Sequence, residues 1–176
     1  CLLDLHNPAE MCDAIKTLKV RGAPAIGVAA AYGLVLGVGS RKFHDEALLF
    51  EVLEDTARLL ISARPTAVNL RWAVDRAVRA CKAAKGSGVP ELKAALLAEA
   101  RRIHEEDSRM CRQIGEVGQE ILPDGARVLT HCNAGALATA DYGTALGVIY
   151  RAKELGKSVS VYAGEALRAA HAADEA

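Results

Sequence analysis

The stretch that decides the fold is residues 128–139, which read Val-Leu-Thr-His-Cys-Asn-Ala-Gly-Ala-Leu-Ala-Thr. The residues at its start are apolar or β-branched, and they predict a strand over 127–131. The cysteine and glycine turn that follows predicts a direct entry into a helix over 139–155. Cys132 is then expected at the carboxyl end of a strand and the amino end of a helix, where exposed backbone N–H groups favour an anion. This is a suitable place for a reactive thiol.

Other interpretations of these residues stay open. Free cysteine is among the most buried residue types, so Cys132 could simply fill space in a core. The run Asn-Ala-Gly-Ala over 133–136 could bind an anion through main-chain N–H groups, although it matches neither of the common glycine-rich nucleotide-binding patterns. Asp141 and Tyr142 could take part in chemistry, but complementing the helix dipole and packing are the plainer roles.

Downstream of this stretch, the chain predicts one βαβ unit. Gly156 ends the helix and residues 159–163 predict a second strand. A right-handed crossover makes the two strands parallel, and ligands of such sheets bind beyond the carboxyl ends of the strands, where Cys132 falls. Two strands are too few for a parallel sheet, which needs cover on both faces. Residues 123–176 are therefore expected to be the start of an incomplete domain.

Upstream, residues 1–122 predict a helical domain. Helices are expected from Pro8 to about Leu18, from Pro24 onward, along a stripe from Leu48 to Leu60, from Leu70 to Cys81, and from Pro90 to Ile121. The last helix places on one face Leu92, Leu96, Ile103, Met110, Ile114, Val117 and Ile121. The uncharged segment 23–40 is rich in Ala and Gly and predicts a buried core helix rather than a membrane span. The expected fold class is α/β.

Composition excludes several classes of protein. The chain has 22 basic and 22 acidic residues, so no overall charge attracts nucleic acid or an anionic membrane. About half of the 176 residues are apolar, which is enough for a real core. Five cysteines without paired spacing fit reduced thiols in the cytoplasm, and the dispersed histidines make a metal site unexpected. No secretion signal is recognised at the front of the chain.

Two further segments could bind phosphate. Arg21, Gly22, Ala23 and Pro24 place a guanidinium beside backbone N–H groups at a helix start. Arg64 precedes a proline at another helix boundary. Taken singly, each has a plainer interpretation: a helix–helix turn whose arginine is solvated or paired with a carboxylate, and an ordinary helix stop.

Together, three segments resemble one known family. They are VRGAPAIG over 20–27, RPTAVNL over 64–70 and THCNAGALAT over 130–139, in that order and spacing. From Asp4 to Ala163 the chain is similar to the methylthioribose-1-phosphate isomerase family. Its relatives are ribose-1,5-bisphosphate isomerase and the regulatory subunits of the eukaryotic initiation factor exchange complex, which share the fold without sharing the chemistry. The resemblance implies a helical amino-terminal domain followed by the first βαβ unit of a Rossmann-like parallel sheet.

The resemblance also implies roles for single residues. Arg21, Gly22 and Ala23 match the first substrate-binding segment, Arg64 matches the second binding arginine, and Cys132 matches the catalytic cysteine. The implied reaction converts 5-methylthioribose 1-phosphate to 5-methylthioribulose 1-phosphate in methionine salvage, without a cofactor. A homodimer is implied for the complete protein.

The chain departs from the family pattern after residue 163. The family continues with an acidic, Arg-Pro-containing segment that leads to a binding glutamine, whereas residues 164–168 here are Gly-Glu-Ala-Leu-Arg. The family's catalytic aspartate and Asn-Lys pair have no counterpart in this chain. We therefore expect a truncated or divergent isomerase that is inactive alone. Two alternatives stay open: a noncatalytic regulatory or binding protein of the initiation-factor type, and ribose-1,5-bisphosphate isomerase, whose substrate needs cations where a thioether needs an apolar pocket.

Overall fold

The computed structural model describes residues 3–39 and 41–163. The helices are α1 (Pro8–Lys16), α2 (Ala23–Gly39), α3 (Glu46–Ala63), α4 (Val68–Ala83), α5 (Val89–Gly118) and α6 (Ala145–Glu154), and the strands are β1 (Ala126–Thr130) and β2 (Val159–Ala163). Short 3-10 turns occupy Gln119–Ile121 and Ala136–Ala138. The chain divides into two compact units that meet between Glu105 and Glu106, inside α5. Residues 164–176, which the sequence analysis assigns to the incomplete domain, lie outside the described residues.

The first unit contains α1 to α4 and the first part of α5, which are helices that the sequence predicts. Two of its helices begin at side-chain caps. The Asn7 side chain accepts a hydrogen bond from the Glu10 amide at 2.9 Å, and Asp45 accepts one from the Leu48 amide at 2.8 Å. These caps satisfy amides that a helix start leaves without partners, and they set where α1 and α3 begin.

α2 is the core helix that its composition predicts. Cβ atoms placed on Gly33 and Gly37 would stand 3.0 Å from Leu60 and 2.7 Å from Thr56 of α3. The same positions would stand 3.1 Å from Met11 and 3.2 Å from Pro8 of α1. α1 and α3 therefore both run antiparallel to α2, and they pack closely against it at its glycines, which have no side chains. Within residues 3–39 and 41–163, every helix is too short or too polar to cross a bilayer.

The orientation of α4 follows from its contacts with α3. The Glu46 carboxylate at the start of α3 accepts hydrogen bonds from the amides of Gly86 and Gly88, at 2.8 and 2.7 Å, just after α4 ends. Further along, Lys82 pairs with Glu54 at 2.7 Å. α3 and α4 are thus antiparallel. Because α2 is also antiparallel to α3, α2 and α4 run in the same direction and begin at the same end of the bundle.

The second unit contains the end of α5, β1, α6 and β2. The two strands pair in parallel, with Ala126 opposite Val159 and Thr130 opposite Ala163. β2 has the predicted bounds, and β1 begins one residue earlier than predicted. A helical part followed by a small parallel sheet confirms the α/β class.

One predicted apolar face is only half buried. Leu92, Leu96 and Ile103 of α5 are buried, but Met110, Ile114 and Val117 further along the helix are exposed, as is Ile121 in the 3-10 turn that follows. In the second unit α5 packs through its small residues instead. A Cβ atom on Gly115 would stand 2.9 Å from the Gly147 carbonyl oxygen of α6. Close contact between two backbones is possible only where side chains are absent, so the packing face rotates away from the large apolar residues.

The predicted start of the last helix is wrong. We expected a helix from Thr139, but α6 begins at Ala145. Gly143 has φ of +86°, outside the helical region, and the Thr139 hydroxyl accepts a hydrogen bond from the Gly143 amide at 3.1 Å. The Ala134 carbonyl then accepts from the amides of Thr144 and Leu146, at 2.9 and 3.3 Å, and so occupies the first turn of α6.

Candidate functional site

The amino ends of α2 and α4 lie against each other in the first unit. A Cβ atom on Gly27, in the second turn of α2, would stand 3.0 Å from the Asn69 carbonyl oxygen in the first turn of α4. No side chain caps α4, and neither α2 nor α4 carries an acidic residue in its first turn. Free amides and two parallel helix dipoles therefore favour an anion at this end of the bundle.

The predicted binding residues lie at this end. Arg21, Gly22 and Ala23 lead into α2, and Arg64 lies between α3 and α4. We call residues 21–25 and 64–69 the arginine end. Gly22 has φ of +95°, a left-handed conformation that favours glycine and lets the chain turn into α2. Arg21 and Arg64 are exposed, and neither guanidinium has an ion pair or hydrogen bond within the described part of the chain. Both cations are therefore available to a ligand.

Cys132 belongs to the second unit. It lies in residues 131–144, which join β1 to α6 and which we call the cysteine loop. Of the described cysteines, Cys12, Cys81 and Cys111 are buried and Cys132 is exposed, so Cys132 does not fill space in a core. The expectation that it lies at the amino end of a helix is wrong, because residues 133–135 separate it from a short 3-10 turn and α6 begins later still.

The backbone at Cys132 has an unusual conformation. Its φ is +66°, in the left-handed region that residues with a side chain rarely adopt. Leu18, the other described non-glycine residue with positive φ, follows the end of α1, where such a conformation is common. Cys132 follows a strand and has no such local reason. Strained backbone of this kind persists only where the surrounding structure holds it, and it is concentrated at functional sites.

Two polar side chains beside Cys132 lack partners. Thr130 Oγ1 and Asn133 Nδ2 are buried, and neither has a hydrogen bond to any described residue. Buried polar groups are ordinarily hydrogen-bonded, since leaving one unpaired costs about 1–3 kcal/mol. Thr130 and Asn133, on either side of the thiol, therefore each keep a polar atom that forms no hydrogen bond with a described residue.

The far end of the cysteine loop is attached to α5. The Asp107 carboxylate accepts a hydrogen bond from the Ala140 amide at 2.7 Å. Asp141 accepts one from the Ser108 hydroxyl at 3.0 Å and pairs with Arg112 at 2.5 Å. Asp141 therefore binds α5 rather than complementing a helix dipole.

Next to it, Tyr142 packs, as expected. The Arg112 guanidinium lies 5.2 Å from the centre of the Tyr142 ring. Burial raises the pKa of Tyr142 to about 12, with a further contribution from Glu154. The hydroxyl is therefore neutral throughout the physiological range.

The buried thiols differ chemically from Cys132. Burial raises the pKa of Cys81 to about 11, and the Glu46 carboxylate adds to this effect. Burial, and then the nearby Asp107 carboxylate, raise the pKa of Cys111. Both are protonated near neutral pH and shielded, so thiol chemistry among the described cysteines is expected at Cys132.

Sequence reasoning missed the residues of α5 that contact the cysteine loop. Asp107, Cys111 and Gly115 recur at intervals of four, a small and polar face on an otherwise apolar and charged helix. This four-residue spacing indicates a helix face that packs against another segment, but it does not show which segment that is. Among the described residues, no group of three potential ligands from His, Cys, Asp and Glu is arranged to hold a metal ion.

The sequence pattern of the initiation factor 2 subunit family matches residues 19–167. The chain belongs to this family. The resemblance to isomerases inferred from the three segments is also confirmed by similarity to named proteins. One member of the family, the methylthioribose-1-phosphate isomerase of Desulforamulus reducens, is 57% identical over 152 residues, which are 86% of this chain and 44% of the relative.

Two solved structures share the fold. Translation initiation factor eIF-2B, subunit delta, from A. fulgidus matches with a TM-score of 0.82 at 49% identity, over 92% of this chain and 47% of that one. The 5-methylthioribose 1-phosphate isomerase of Pyrococcus horikoshii matches with a TM-score of 0.80 at 32% identity, over 89% and 52% of the two chains. This chain thus spans about half the length of the relatives it matches.

Proposed function

We propose that this chain carries the phosphate-binding end and the reactive cysteine of an aldose–ketose isomerase. The reaction is the conversion of 5-methylthioribose 1-phosphate to 5-methylthioribulose 1-phosphate in methionine salvage. The observation that carries the proposal is the arginine end, where two arginines that have no partner among the described residues accompany two adjacent helix starts that lack acidic residues. Similarity to a relative of that name supports the choice of substrate.

At the arginine end, Arg21 and Arg64 bind the substrate phosphate together with amides of the first turns of α2 and α4. A guanidinium matches the geometry of phosphate oxygens and holds them by charge-assisted hydrogen bonds. Gly22 keeps the backbone close to the anion, because it has no side chain to separate them. Ala23 presents an amide at the helix start in the same way.

Cys132 acts in the chemical step. The phosphate on the anomeric carbon prevents spontaneous ring opening, so the enzyme must open the ring and then move hydrogen between C1 and C2. Either an enediol-type proton transfer or a hydride shift requires charge to be stabilised on a substrate oxygen. The exposed thiol stabilises or relays that charge, with an aspartate from outside this chain as its partner. No cofactor takes part.

Other parts of the proposal concern the complete protein. We expect a cytoplasmic homodimer whose remaining half supplies the aspartate, the binding glutamine and the Asn-Lys pair. The 176-residue chain alone is expected to bind substrate but not to turn it over. No partner of nucleic acid or membrane is proposed.

A second candidate function is noncatalytic. The similarity to a structure named as an initiation factor subunit, at 49% identity, favours a regulatory role within the same family. In that case Cys132 is dispensable and the arginine end serves another ligand or none.

Calorimetric titration of the purified chain with 5-methylthioribose 1-phosphate tests the binding site. We expect saturable binding that weakens about tenfold or more in Arg21→Gln and in Arg64→Gln, since each loses a charge-assisted contact. Arg79→Gln is the matched control, because Arg79 is an exposed arginine of α4 away from its amino end. Equal binding by all four proteins would contradict the proposed site.

Turnover is tested in a fusion of this chain to the carboxyl half of the Desulforamulus relative. The fusion is expected to form 5-methylthioribulose 1-phosphate, and Cys132→Ala is expected to lower kcat by about 100-fold or more. If the fusion is active and Cys132→Ala leaves its kcat unchanged, the reaction does not depend on the thiol. A fusion that neither binds nor converts the substrate would support the noncatalytic candidate.

A further inference from the structure

The position of the thiol depends on how the cysteine loop is fixed. At its near end the loop continues from β1, whose last residue, Thr130, lies opposite Ala163 of β2. The sheet therefore sets where the loop begins. Cys132 follows two residues later with its left-handed backbone, and something further along the loop must hold that conformation.

Inside the loop, the chain folds back on itself. The Ala134 carbonyl accepts a hydrogen bond from the Thr144 amide at 2.9 Å. A Cβ atom on Gly143 would stand only 2.7 Å from the backbone of Gly135. The two sides of the loop are thus in direct backbone contact, so a displacement of the 139–144 side is transmitted to the 133–135 side beside Cys132.

The 139–144 side is attached to α5 by charged groups. Asp107 accepts from the Ala140 amide at 2.7 Å, and Arg112 pairs with Asp141 at 2.5 Å. Ser108 donates to the same Asp141 carboxylate at 3.0 Å. The two hydrogen bonds are partly buried, where bonds to ionised groups stabilise more than neutral ones, whereas the Arg112 side chain is largely exposed. A rigid helix thereby holds the side of the loop opposite the thiol.

We infer that Asp107 is a positioning residue for Cys132. By accepting the hydrogen bond from Ala140, it fixes the 139–144 side of the cysteine loop, and the backbone contact between Gly143 and Gly135 passes this restraint to the thiol. Ser108, Arg112 and Asp141 reinforce the attachment. The inference deepens the proposed role of Cys132 and rests on it, but its test requires no turnover, so the two can fail separately.

Three variants of the full 176-residue chain separate positioning from general stability. Asp107→Ala removes the acceptor, whereas Asp107→Asn keeps an oxygen that accepts from the Ala140 amide. Glu46→Ala is the matched control. It removes a carboxylate that accepts from the amides of Gly86 and Gly88 in the first unit, at similar distances.

The first measurement is the rate of iodoacetamide alkylation at Cys132, resolved from the other thiols by peptide mass spectrometry. A synthetic peptide of residues 128–139 gives the rate for an unrestrained thiol. We expect the folded chain to differ from the peptide by about threefold or more, as local structure shields or orients the thiol. In Asp107→Ala the alkylation rate should shift most of the way to the rate of the peptide. In Asp107→Asn and Glu46→Ala it should stay at the rate of the unmodified chain.

The second measurement is hydrogen–deuterium exchange. Asp107→Ala should raise exchange in peptides covering 133–144 by about tenfold, the equivalent of losing one hydrogen bond of about 1.4 kcal/mol. Glu46→Ala should raise it at 86–88 instead. The inference is overturned if the unmodified chain already reacts at the peptide rate, or if Asp107→Ala leaves both the rate and the exchange unchanged. If Asp107→Ala does not fold, Ser108→Ala takes its place. We then expect the alkylation rate and the hydrogen–deuterium exchange to change in the same directions, but by less.

Discussion

Gly27 and Asn69 bring the two arginine segments together. A Cβ atom on Gly27 would stand 3.0 Å from the Asn69 carbonyl oxygen and 3.5 Å from the side chain of Ala73. The two helices therefore touch where α2 has no side chain, one turn inside the ends that carry Arg21 and Arg64. This contact places two helix starts, far apart in sequence, at one end of the bundle, where we propose that phosphate binds.

The contact predicts the effect of adding a methyl group. Gly27→Ala gains about 1 kcal/mol of helix propensity, but it forces the α4 backbone away, and we expect a net loss of about 1–2 kcal/mol in the free energy of unfolding. Gly39→Ala is the control, since nothing lies within 4 Å of its added Cβ atom. Urea unfolding should show a loss for the first variant and none for the second. A Gly27→Ala chain as stable as the unmodified one would mean that α2 and α4 are not in close contact.

The buried carboxylate of Glu99 predicts a second contrast. Glu99 is only 4% exposed and bonds to Arg76 at 2.6 Å and to Arg102 at 2.5 Å. Glu99→Ala leaves the half-buried Arg76 without this partner, and we expect a loss of about 2–3 kcal/mol. Glu54→Ala breaks the exposed pair with Lys82 and should cost less than about 1 kcal/mol. Thermal unfolding checks this contrast: the midpoint of Glu99→Ala should lie below that of Glu54→Ala. The reverse order would contradict the burial of Glu99.

Stability should fall in mildly alkaline solution because of Cys81. Its pKa rises from 9.0 to about 11 on burial, so the folded state holds the thiol proton more tightly than the unfolded state does. The stabilisation is present below pH 9 and is lost as the pH rises through about 11, by up to about 2–3 kcal/mol.

The check is urea unfolding at several values between pH 8 and about 11. Cys81→Ala should be less stable at pH 8, because it leaves a small cavity, but it should show a shallower decline with rising pH. Identical slopes for the two proteins would show that Cys81 does not contribute. Cys111, whose pKa burial also raises, and Tyr142, whose pKa is raised to about 12, account for a decline that persists in the variant.

Gly143 predicts a local effect in the cysteine loop. It combines φ of +86° with Gly135 atoms 2.7 Å from any added Cβ atom. Gly143→Ala therefore suffers both backbone strain and a clash, and we expect a loss of about 2–4 kcal/mol. Gly125→Ala has a similar φ of +76° but open space around it, so it isolates the strain at about 1 kcal/mol. Equal losses in denaturant unfolding would show that the loop opens to accept the methyl group.

Local sequence patterns were sufficient where the determinant is itself local. The prolines at the starts of α1 and α2, the apolar stripes of α3 and α4 and the apolar or β-branched residues of the strands predict their elements to within a few residues. The three motif segments likewise identified the family without the structure. These segments name the candidate residues because a motif specifies residue types and their order along the chain.

Sequence by itself thus determined the first five helices, the α/β class and the family, and it named Arg21, Arg64 and Cys132 as candidate site residues. Only the tertiary structure decided that two helix starts without acidic residues meet, that α6 begins at Ala145, and that Asp107 accepts a hydrogen bond from the cysteine loop. The physical reason is the range of the interactions. Periodicity and capping act within one or two turns of helix, whereas backbone contacts such as Gly27 with Asn69 depend on how distant segments pack, which no local pattern encodes.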